Sequence, residues 1–307
     1  MIVSVGHAAF QVTDLEASIE HATGVLGFRE VARRDGTVFL SHGSAQHSLE
    51  YRQGPATGLD HVALQAQDDT ALEEAIGRLS DAGYQLEDGP DDPLVERNVR
   101  FRMASGHVFD LFVPAREALD GYSCNGQPPW VPTGVRPRRV GHVNLNFTDV
   151  EAAQTFFTDV LGFRLSDIIT TPDDHAILYF LRCGPAHHAV GVAEAPEDGI
   201  FHYAFEVDTV QDLVRLGDAL DTSQRQLLWG PGRHGAGDNI ATYHAEPSGV
   251  LIEYFAEMQW IHDDRWQPRR WRTDDYRLNC VWGVSPDVGA LFASSIPVVE
   301  SPSSVAA

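Results

Sequence analysis

The sequence predicts an α+β protein of two tandem domains, chiefly because it contains an internal repeat. Residues 6–31 align without a gap to residues 141–166, and 12 of the 26 positions are identical. The chain of 307 residues also has the length of two domains, since one domain takes roughly 150 residues. Both copies alternate short apolar runs typical of strands with runs that have the period of a helix. We therefore predict domains at residues 1–134 and 135–307.

Each copy opens with a strand and a helix. Thr-Asp pairs at 13–14 and 148–149 precede the two helical patterns, and side chains of this kind accept hydrogen bonds from the first helical turn. The sequence VLGF ends both patterns, which makes Gly27 and Gly162 candidate C-terminal caps. Further strands are expected after each helix.

The same order then recurs within each copy. Residues 59–67 match residues 200–208 as alternating apolar strands, and residues 106–113 match residues 249–256 as closing strands. A helical pattern lies between them in both copies. Its apolar positions are Leu72, Ile76 and Leu79 in the first copy and Leu213, Leu216 and Leu220 in the second.

The segment between the copies, residues 121–139, is rich in Gly, Pro and Arg and is predicted to be a linker. The chain as a whole is strongly acidic, with 44 Asp and Glu against 22 Lys and Arg and a net charge of −22. This charge repels nucleic acids and anionic membranes, so neither is expected as a partner.

Several features predict a cytoplasmic protein. No stretch reaches the roughly 18 apolar residues of a membrane span, and residues 1–11 lack the basic start of a secretion signal. The three cysteines, Cys124, Cys183 and Cys280, are far apart and odd in number. They do not have the spacing of a disulfide framework or a zinc ribbon, which favours reduced thiols.

Three candidate metal ligands lie at equivalent points of the second copy. His142 lies on the first strand of its first half, His202 on the first strand of its second half, and Glu253 on its last strand. Two imidazoles and one carboxylate on one face of an ion form the facial triad of non-haem iron(II) oxygenases, which leaves the other face open. A histidine in an apolar strand is more often a packed residue than a ligand. The residues alone therefore leave a metal site and a structural role both open.

The most specific motif is GRHGAGDNIATYHAEPSGVLIEYFAE, residues 232–257. It resembles the signature of the type I extradiol catechol dioxygenases of the vicinal oxygen chelate superfamily, which shares its fold with glyoxalase I and bleomycin-resistance proteins. The resemblance extends over residues 1 to about 285. Thr242 departs from it, because the family usually has an aliphatic residue or Phe there, and this is a mild change in packing. The residues that match the signature are His234, Tyr243, Pro247, Gly249 and Glu253.

The resemblance implies a fold and an activity. Each domain is expected to consist of two βαβββ modules that form a curved mixed sheet around a central cavity. His142, His202 and Glu253 are expected to hold Fe(II), with Mn(II) as the alternative, and O2 is the co-substrate. The implied reaction opens the ring of a small aromatic diol of the catechol type to a semialdehyde-type product. Relatives are often oligomers, so a homo-oligomer is expected.

The resemblance also implies roles for residues around the metal. His188 is the expected acid–base histidine, with the adjacent His187 as a substrate-binding candidate. Tyr243 and His234 are expected to orient the substrate hydroxyls, and Asn144 is a candidate substrate contact. Structural roles stay open for each: a surface turn for the two histidines, a core position for Tyr243 and a structural hydrogen bond for Asn144.

The first copy has candidate ligands at the matching positions, namely His7, His61 and Asp110. In the resembled family this copy is usually vestigial. Residues 95–105 also lack a counterpart of the stretch that contains His234 and Tyr243. We therefore expect no functional site in the first copy.

Two other functions share the resembled fold. A metal-dependent, non-oxidative isomerase or epimerase usually needs a further carboxylate and lacks the set His188, His234 and Tyr243. A ligand-sequestering protein is usually a single short copy without the triad. The substrate stays open among plain, alkyl, biaryl, carboxylated and fused-ring diols. Tail tryptophans and the arginines in 269–272 are candidates for a pocket cover that would favour an aromatic or anionic side group.

Overall fold

Two mixed β-sheets, one from each copy, form the frame of the protein. The computed structural model describes residues 1–43, 47–90, 92, 95–114 and 133–299. Within these residues the first sheet contains eight strands and the second contains ten. Several short helices accompany the sheets, which agrees with the predicted α+β class.

Each copy runs through the order βαβββ twice, as the resemblance implies. The elements of the first copy are β1 (Ile2–Val12), α1 (Leu15–Gly24), β2 (Arg29–Arg34), β3 (Thr37–Ser41), β4 (Leu49–Gln53), β5 (Gly58–Ala66), α2 (Asp69–Asp81), β6 (Leu86–Asp88), β7 (Val95–Arg102) and β8 (Val108–Pro114). Those of the second copy are β9 (Arg139–Phe147), α3 (Val150–Thr155) with a π-helical turn (Phe156–Val160), β10 (Arg164–Thr170), β11 (Ala176–Arg182), β12 (Val190–Glu194), β13 (Gly199–Glu206), α4 (Val210–Thr222), β14 (Trp229–Arg233), β15 (Ile240–Ala245) and β16 (Leu251–Ala256). The tail adds β17 (Arg269–Arg272), α5 (Val288–Phe292) and β18 (Ile296–Pro297).

The order of the strands brings the two halves of each copy together at the centre of its sheet. The first sheet has the order β2-β3-β4-β1-β5-β8-β7-β6, and the second has the order β14-β15-β16-β13-β9-β12-β11-β10-β17, with β18 beside β13. Strands β9 and β13 are antiparallel neighbours, while β12 and β16 pair with them in parallel on either side. Side chains that point to the same side of these four strands can therefore meet on one face at the centre of the sheet.

The predicted starts and ends of the first helices are confirmed. The carboxylates of Asp14 and Asp149 each accept a hydrogen bond from the backbone N–H three residues on, at 3.0 Å. Gly27 and Gly162 follow the helix ends with φ of 71° and 74°. This left-handed conformation costs glycine little, because it has no Cβ.

One hydrophobic core extends through both copies. The leucines that predict helices α2 and α4 are buried in it. Side chains also bond across the copies: Tyr203 Oη donates to the carbonyl of Ser48 at 2.6 Å, and Tyr254 Oη donates to the carbonyl of Leu26 at 3.0 Å. The two sheets are therefore held together by packing and by buried hydrogen bonds.

The predicted linker lies mostly outside the described residues, which resume at residue 133, and Cys124 lies outside them as well. The boundary between residues 134 and 135 therefore stays a prediction. From there the chain contacts the first copy, since Val135 N–H donates to the carbonyl of Val25 at 2.9 Å. A search of the described helices found none with the length and apolar character needed to cross a membrane.

Candidate active site

The three predicted metal ligands lie on neighbouring strands at the centre of the second sheet. His202 on β13 pairs with Asn144 on β9, and Ala204 pairs with His142 on one side and with Glu253 on the other. Because alternate residues of a strand point to the same face, both imidazoles and the carboxylate project from one face. Ala204 lies between two of the ligands, and its small side chain leaves them room.

The donor atoms of the triad converge on one point. His142 Nε2 lies 3.0 Å from His202 Nε2 and 3.3 Å from Glu253 Oε2, and His202 Nε2 lies 3.0 Å from the same oxygen. Donors at about 2.1 Å from one ion are about 3 Å apart when they meet at right angles. The spacing of these atoms therefore fits three ligands on one face of a divalent cation.

The charges of the triad also suit a cation. Burial opposes ionisation of Glu253, yet the adjacent His142 and His202 hold the pKa of its carboxyl well below the usual range. Burial lowers the pKa of His142, so its imidazole is neutral. Tyr243 Oη donates to Glu253 Oε2 at 2.9 Å, and Asn239 Nδ2 donates to Oε1 at 3.0 Å. An oriented carboxylate beside the neutral imidazole of His142 suits the binding of a metal.

A cavity of about 370 Å³ opens in front of the triad. This volume is within the range of small-molecule sites. His188, Asn144, Tyr243 and His234 line it together with the triad. No Arg or Lys of the described chain is among the lining residues. The apolar part of the wall consists of Ile169, Ile177, Leu178, Phe180, Phe201, Leu278, Leu291 and Phe292.

The adjacent histidines His187 and His188 have different surroundings. The ring of His188 lines the cavity, with its centroid 4.1 Å from that of His142. Burial, together with the imidazoles of His142 and His187, holds the pKa of His188 well below its usual value. His187 lies behind this ring: its Nδ1 is 3.0 Å from Nδ1 of His188, and its Nε2 is 3.2 Å from Oδ2 of Asp167. The predicted direct substrate contact of His187 is therefore corrected, because its imidazole does not reach the cavity.

Asp167 is a residue that the sequence analysis missed. It lies on β10, and its buried carboxylate accepts Trp271 Nε1–H at 2.8 Å and the backbone N–H of Arg269 at 3.2 Å. This anchors the carboxylate that faces His187. Its link to the histidine pair depends on the pairing of β10 with the tail strand β17, and the repeat contains no signal for that pairing.

Tyr243 and His234 form the wall of the cavity beside Glu253. His234 Nδ1–H donates to the carbonyl of Asn279 at 2.7 Å, so its Nε2 carries the lone pair that faces Tyr243 Oη at 3.2 Å. Burial lowers the pKa of His234. Burial and the charge of Glu253 raise the pKa of Tyr243 well above its usual value. The pair therefore presents a neutral imidazole and a protonated phenol to the cavity.

Asn144 also faces the cavity from β9. Its Oδ1 is buried and has no hydrogen-bond partner among the described residues. A Cβ atom added at Gly191, its neighbour on β12, would lie 2.9 Å from the amide carbon of Asn144. Glycine at position 191 thus gives the amide its space, and an open acceptor beside the triad suits a substrate hydroxyl.

The tail covers the cavity, but through different residues from those predicted. Helix α5 contributes Leu291 and Phe292 to the wall, and the ring of Phe292 stacks on Phe201 at 4.2 Å. The arginines of β17 do not line the cavity: Arg270 pairs with Asp174 at the surface. The prediction of an arginine cover that favours an anionic side group is therefore wrong.

Comparison with known proteins places this chain in a family. The model of the Glyoxalase/Bleomycin resistance protein/Dioxygenase superfamily matches residues 4–111 and 139–254, so the chain belongs to that superfamily. The manganese-dependent 2,3-dihydroxybiphenyl 1,2-dioxygenase of Geobacillus genomosp. 3 is 26% identical over 92% of this chain and 93% of its own length. The iron-dependent extradiol dioxygenase of Rhodococcus jostii (strain RHA1) is 28% identical over 94% and 98%, respectively.

A solved structure agrees with these relatives. The 2,3-dioxygenase LapB from Pseudomonas sp. KL28 matches with a TM-score of 0.82 and 27% identity, over 90% of this chain and 100% of that chain. The resemblance to extradiol dioxygenases, the two-domain α+β fold and the predicted class of function are thereby confirmed. The relatives include both manganese- and iron-dependent enzymes, so the comparisons support metal dependence at the coarser level only.

Proposed function

We propose that this chain is an extradiol dioxygenase that uses Fe(II), held by His142, His202 and Glu253, to open the ring of a catechol. The observation that carries the proposal is the convergence of three donor atoms, 3.0–3.3 Å apart, at one end of a largely apolar cavity. The open side of the triad faces space large enough for an aromatic ring. Mn(II) fits the same ligands and is the alternative.

The residues of the cavity suit the handling of a diol. His142, His202 and Glu253 would hold a metal that, when bound, would lower the pKa of a coordinated hydroxyl and supply the site for O2 beside the ring. Tyr243 and His234 orient the substrate oxygens, and the Asn144 amide oxygen accepts a hydrogen bond from a hydroxyl. His188 moves protons during ring opening, because its imidazole lines the cavity beside the triad and a histidine there can act as an acid or a base toward the substrate.

The wall of the cavity favours an uncharged substrate. Its apolar side contains Phe180, Phe201 and Phe292, whose rings can pack against an aromatic ligand. Since no lining Arg or Lys is present in the described chain, a carboxylate on the ring would be buried without a cation, which is costly. We therefore place plain, alkyl- and aryl-substituted catechols ahead of carboxylated ones.

Oxygen uptake tests this function directly. The full chain is loaded anaerobically with Fe(II) and mixed with oxygen and one of three catechols, which carry an alkyl, an aryl or a carboxylate substituent. We expect oxygen uptake and a yellow ring-opened product with the first two. Glu253→Gln should abolish both signals, whereas Glu257→Gln, a matched change at an exposed residue beyond β16, should keep them. Bound iron without oxygen uptake on any of these catechols would contradict the proposal.

Two further expectations belong to the same proposal. The resemblance supports a homo-oligomer, which size-exclusion chromatography with light scattering tests by the mass of the particle in solution. The reduced thiols predicted from the cysteine spacing support a cytoplasmic location. Fractionation of the producing cells tests the second expectation, and recovery outside the cytoplasm would overturn it.

A further inference from the structure

The first sheet contains a second cluster of side chains of the types that bind metals, and none of them lines the cavity of the second sheet. Glu50 Oε1 lies 2.9 Å from His7 Nε2 and 2.7 Å from His47 Nε2, and His7 Nε2 lies 3.3 Å from His61 Nε2. Asp92 Oδ2 lies 3.5 Å from His47 Nε2. These separations resemble those of the triad in the second sheet, so several donor atoms again converge on one point.

Strand register shows how this cluster corresponds to the triad. His61 pairs with Ala9 on β1 as His202 pairs with Asn144 on β9. His7, two residues before Ala9, therefore occupies the place of the first ligand of the triad. Both histidine ligands of the triad thus have counterparts in the first sheet.

The carboxylate comes from a different strand in the two sheets. Asp110 lies at the position of Glu253, and its Oδ2 is 3.5 Å from His61 Nε2, but Arg100 holds it with two shorter hydrogen bonds, of 2.7 and 2.8 Å. Its oxygens are therefore engaged by a guanidinium. Glu50 on β4 supplies the carboxylate beside the two histidines instead of Asp110, because it pairs with Ala9 and its side chain reaches that space.

Glu50 has room beside the histidines because its neighbour on β1 is small. Glu50 corresponds to Gly191 in the second sheet, where a side chain would collide with Asn144. In the first sheet the residue at the place of Asn144 is Ala9, which is small. The first sheet therefore has the small Ala9 where the second has the amide of Asn144. It has the carboxylate of Glu50 where the second has Gly191. His47, three residues before Glu50, occupies the place of His188.

The cluster is buried and adjoins a cavity of about 260 Å³. His7 and His47 direct Nε2 to the cluster and bury an Nδ1 that has no hydrogen-bond partner in the described part of the chain, as His142 and His202 do. Buried imidazoles and carboxylates are costly to keep unless they are paired or bind a cation. The cavity gives an ion a way in.

We propose that the first domain holds a second divalent metal ion, bound by His7, His47 and Glu50, with His61 and Asp92 beside it. Imidazole-rich sites with carboxylates take zinc, iron or manganese in their divalent forms. The proposal does not depend on ring cleavage, because its ligands, strands and cavity are separate from those of the second domain. It reverses the expectation of an empty first copy.

Zinc stoichiometry tests the second site without any assay of activity. The full chain is stripped with a chelator, loaded with Zn(II) as the probe, desalted and measured by elemental mass spectrometry. We expect two zinc ions per chain in the wild type, one in Glu50→Gln and one in Glu253→Gln. Asp110→Asn is the matched control and should keep two ions, because Arg100 already occupies that carboxylate.

Other stoichiometries would overturn the proposal. These are one ion in the wild type that disappears in Glu253→Gln, or two ions retained in Glu50→Gln. If Glu50→Gln does not fold, His47→Gln replaces it, and crystals of the zinc-loaded wild type supply an independent readout. An anomalous density peak between His7 and Glu50 is expected there, and its absence beside a peak at the triad would refute the site.

Discussion

The two sheets share a strand order and a histidine pair, but they orient the carboxylate differently. In the second sheet Glu253 faces His142 and His202 and receives a hydrogen bond from Tyr243. In the first sheet the equivalent Asp110 is bound by Arg100, which lies opposite it on β7 as Tyr243 lies opposite Glu253 on β15. One residue on a neighbouring strand thus decides whether a carboxylate faces a pair of histidines or a guanidinium.

A second difference concerns the space in front of the histidines. The second sheet combines Gly191 with Asn144 and opens onto an apolar cavity, whereas the first combines Glu50 with Ala9 and opens onto a cavity that also contains Arg34. The fold therefore tolerates two arrangements of polar groups at the same backbone positions. Of these two cavities, the one in the second sheet has the larger volume and the more extensive aliphatic and aromatic wall, which suits a ring.

The largest expected effect comes from making the second site resemble the first. In Tyr243→Arg the new guanidinium should bind Glu253 as Arg100 binds Asp110. Because breaking a buried charge pair costs about 3–5 kcal/mol, ring cleavage should fall by about 10³-fold, with loss of iron from the triad. Iron content and oxygen uptake measure this. Tyr243→Phe is the control and should keep its iron. A fully loaded Tyr243→Arg would show that the guanidinium is not decisive.

The next effect concerns the acid–base residue. His188→Phe removes the imidazole that lines the cavity but leaves the triad intact, so iron should still bind. The turnover number should fall by about 10²-fold, as expected when a proton-transfer group is lost. His262→Phe, at an exposed histidine of the tail, is the control for the same substitution. Normal turnover in a His188→Phe variant that binds iron and catechol would show that this role is wrong.

The contact between the two copies should make the protein sensitive to acid. His21 on α1 and His244 on β15 meet with their Nε2 atoms 3.3 Å apart. Burial and the charge of Arg225 lower the pKa of His21 to about 3. Burial, the facing His21 and Arg225 hold the pKa of His244 well below its usual value. Both rings are therefore neutral in the folded protein at neutral pH.

The folded protein should lose stability as the pH falls, because both histidines have lowered pKa values when folded. The unfolded chain binds protons at these histidines below about pH 6.5, while the folded chain does not until near pH 3 at His21. The stability from neutral His21 is thus complete above pH 6.5 and decreases as the pH falls. It should decrease by about 1.4 kcal/mol per histidine between pH 7.5 and 5.5. Urea unfolding of wild type and His21→Asn at both pH values measures the difference, and equal pH dependence would contradict it.

The smallest expected effect concerns His187, which supports His188 from behind. In His187→Phe the hydrogen bond to His188 is lost, so the turnover number should fall by about tenfold while KM stays the same. His187→Asn keeps a polar atom near the position of Nδ1 and should restore most of the turnover. A rise in KM, or no rescue by asparagine, would indicate that His187 supports the packing only.

Much of the second copy was predictable because it depends on local pattern. The repeat places His142 and His202 at matching positions of two first strands, and the alternation of side chains puts both on one face in the register in which β9 and β13 pair. The caps at Asp14 and Asp149 act within one helical turn, so they were also predictable. Glu253 was recognised because it ends a specific motif of closely spaced residues.

Other features depended on which distant segments meet, and only the tertiary structure decided them. The choice between His187 and His188 depends on the direction of two successive side chains between β11 and β12, and the cover by Phe292 depends on where the tail folds back. The pairing between strands also decides that Arg100 binds Asp110 and that Glu50 lies beside the histidines in place of Asp110. The sequence by itself thus determined the class of fold and the triad through short-range periodicity. The tertiary structure decided which carboxylate faces each histidine pair, because that depends on side chains from separate strands that compete for one buried space.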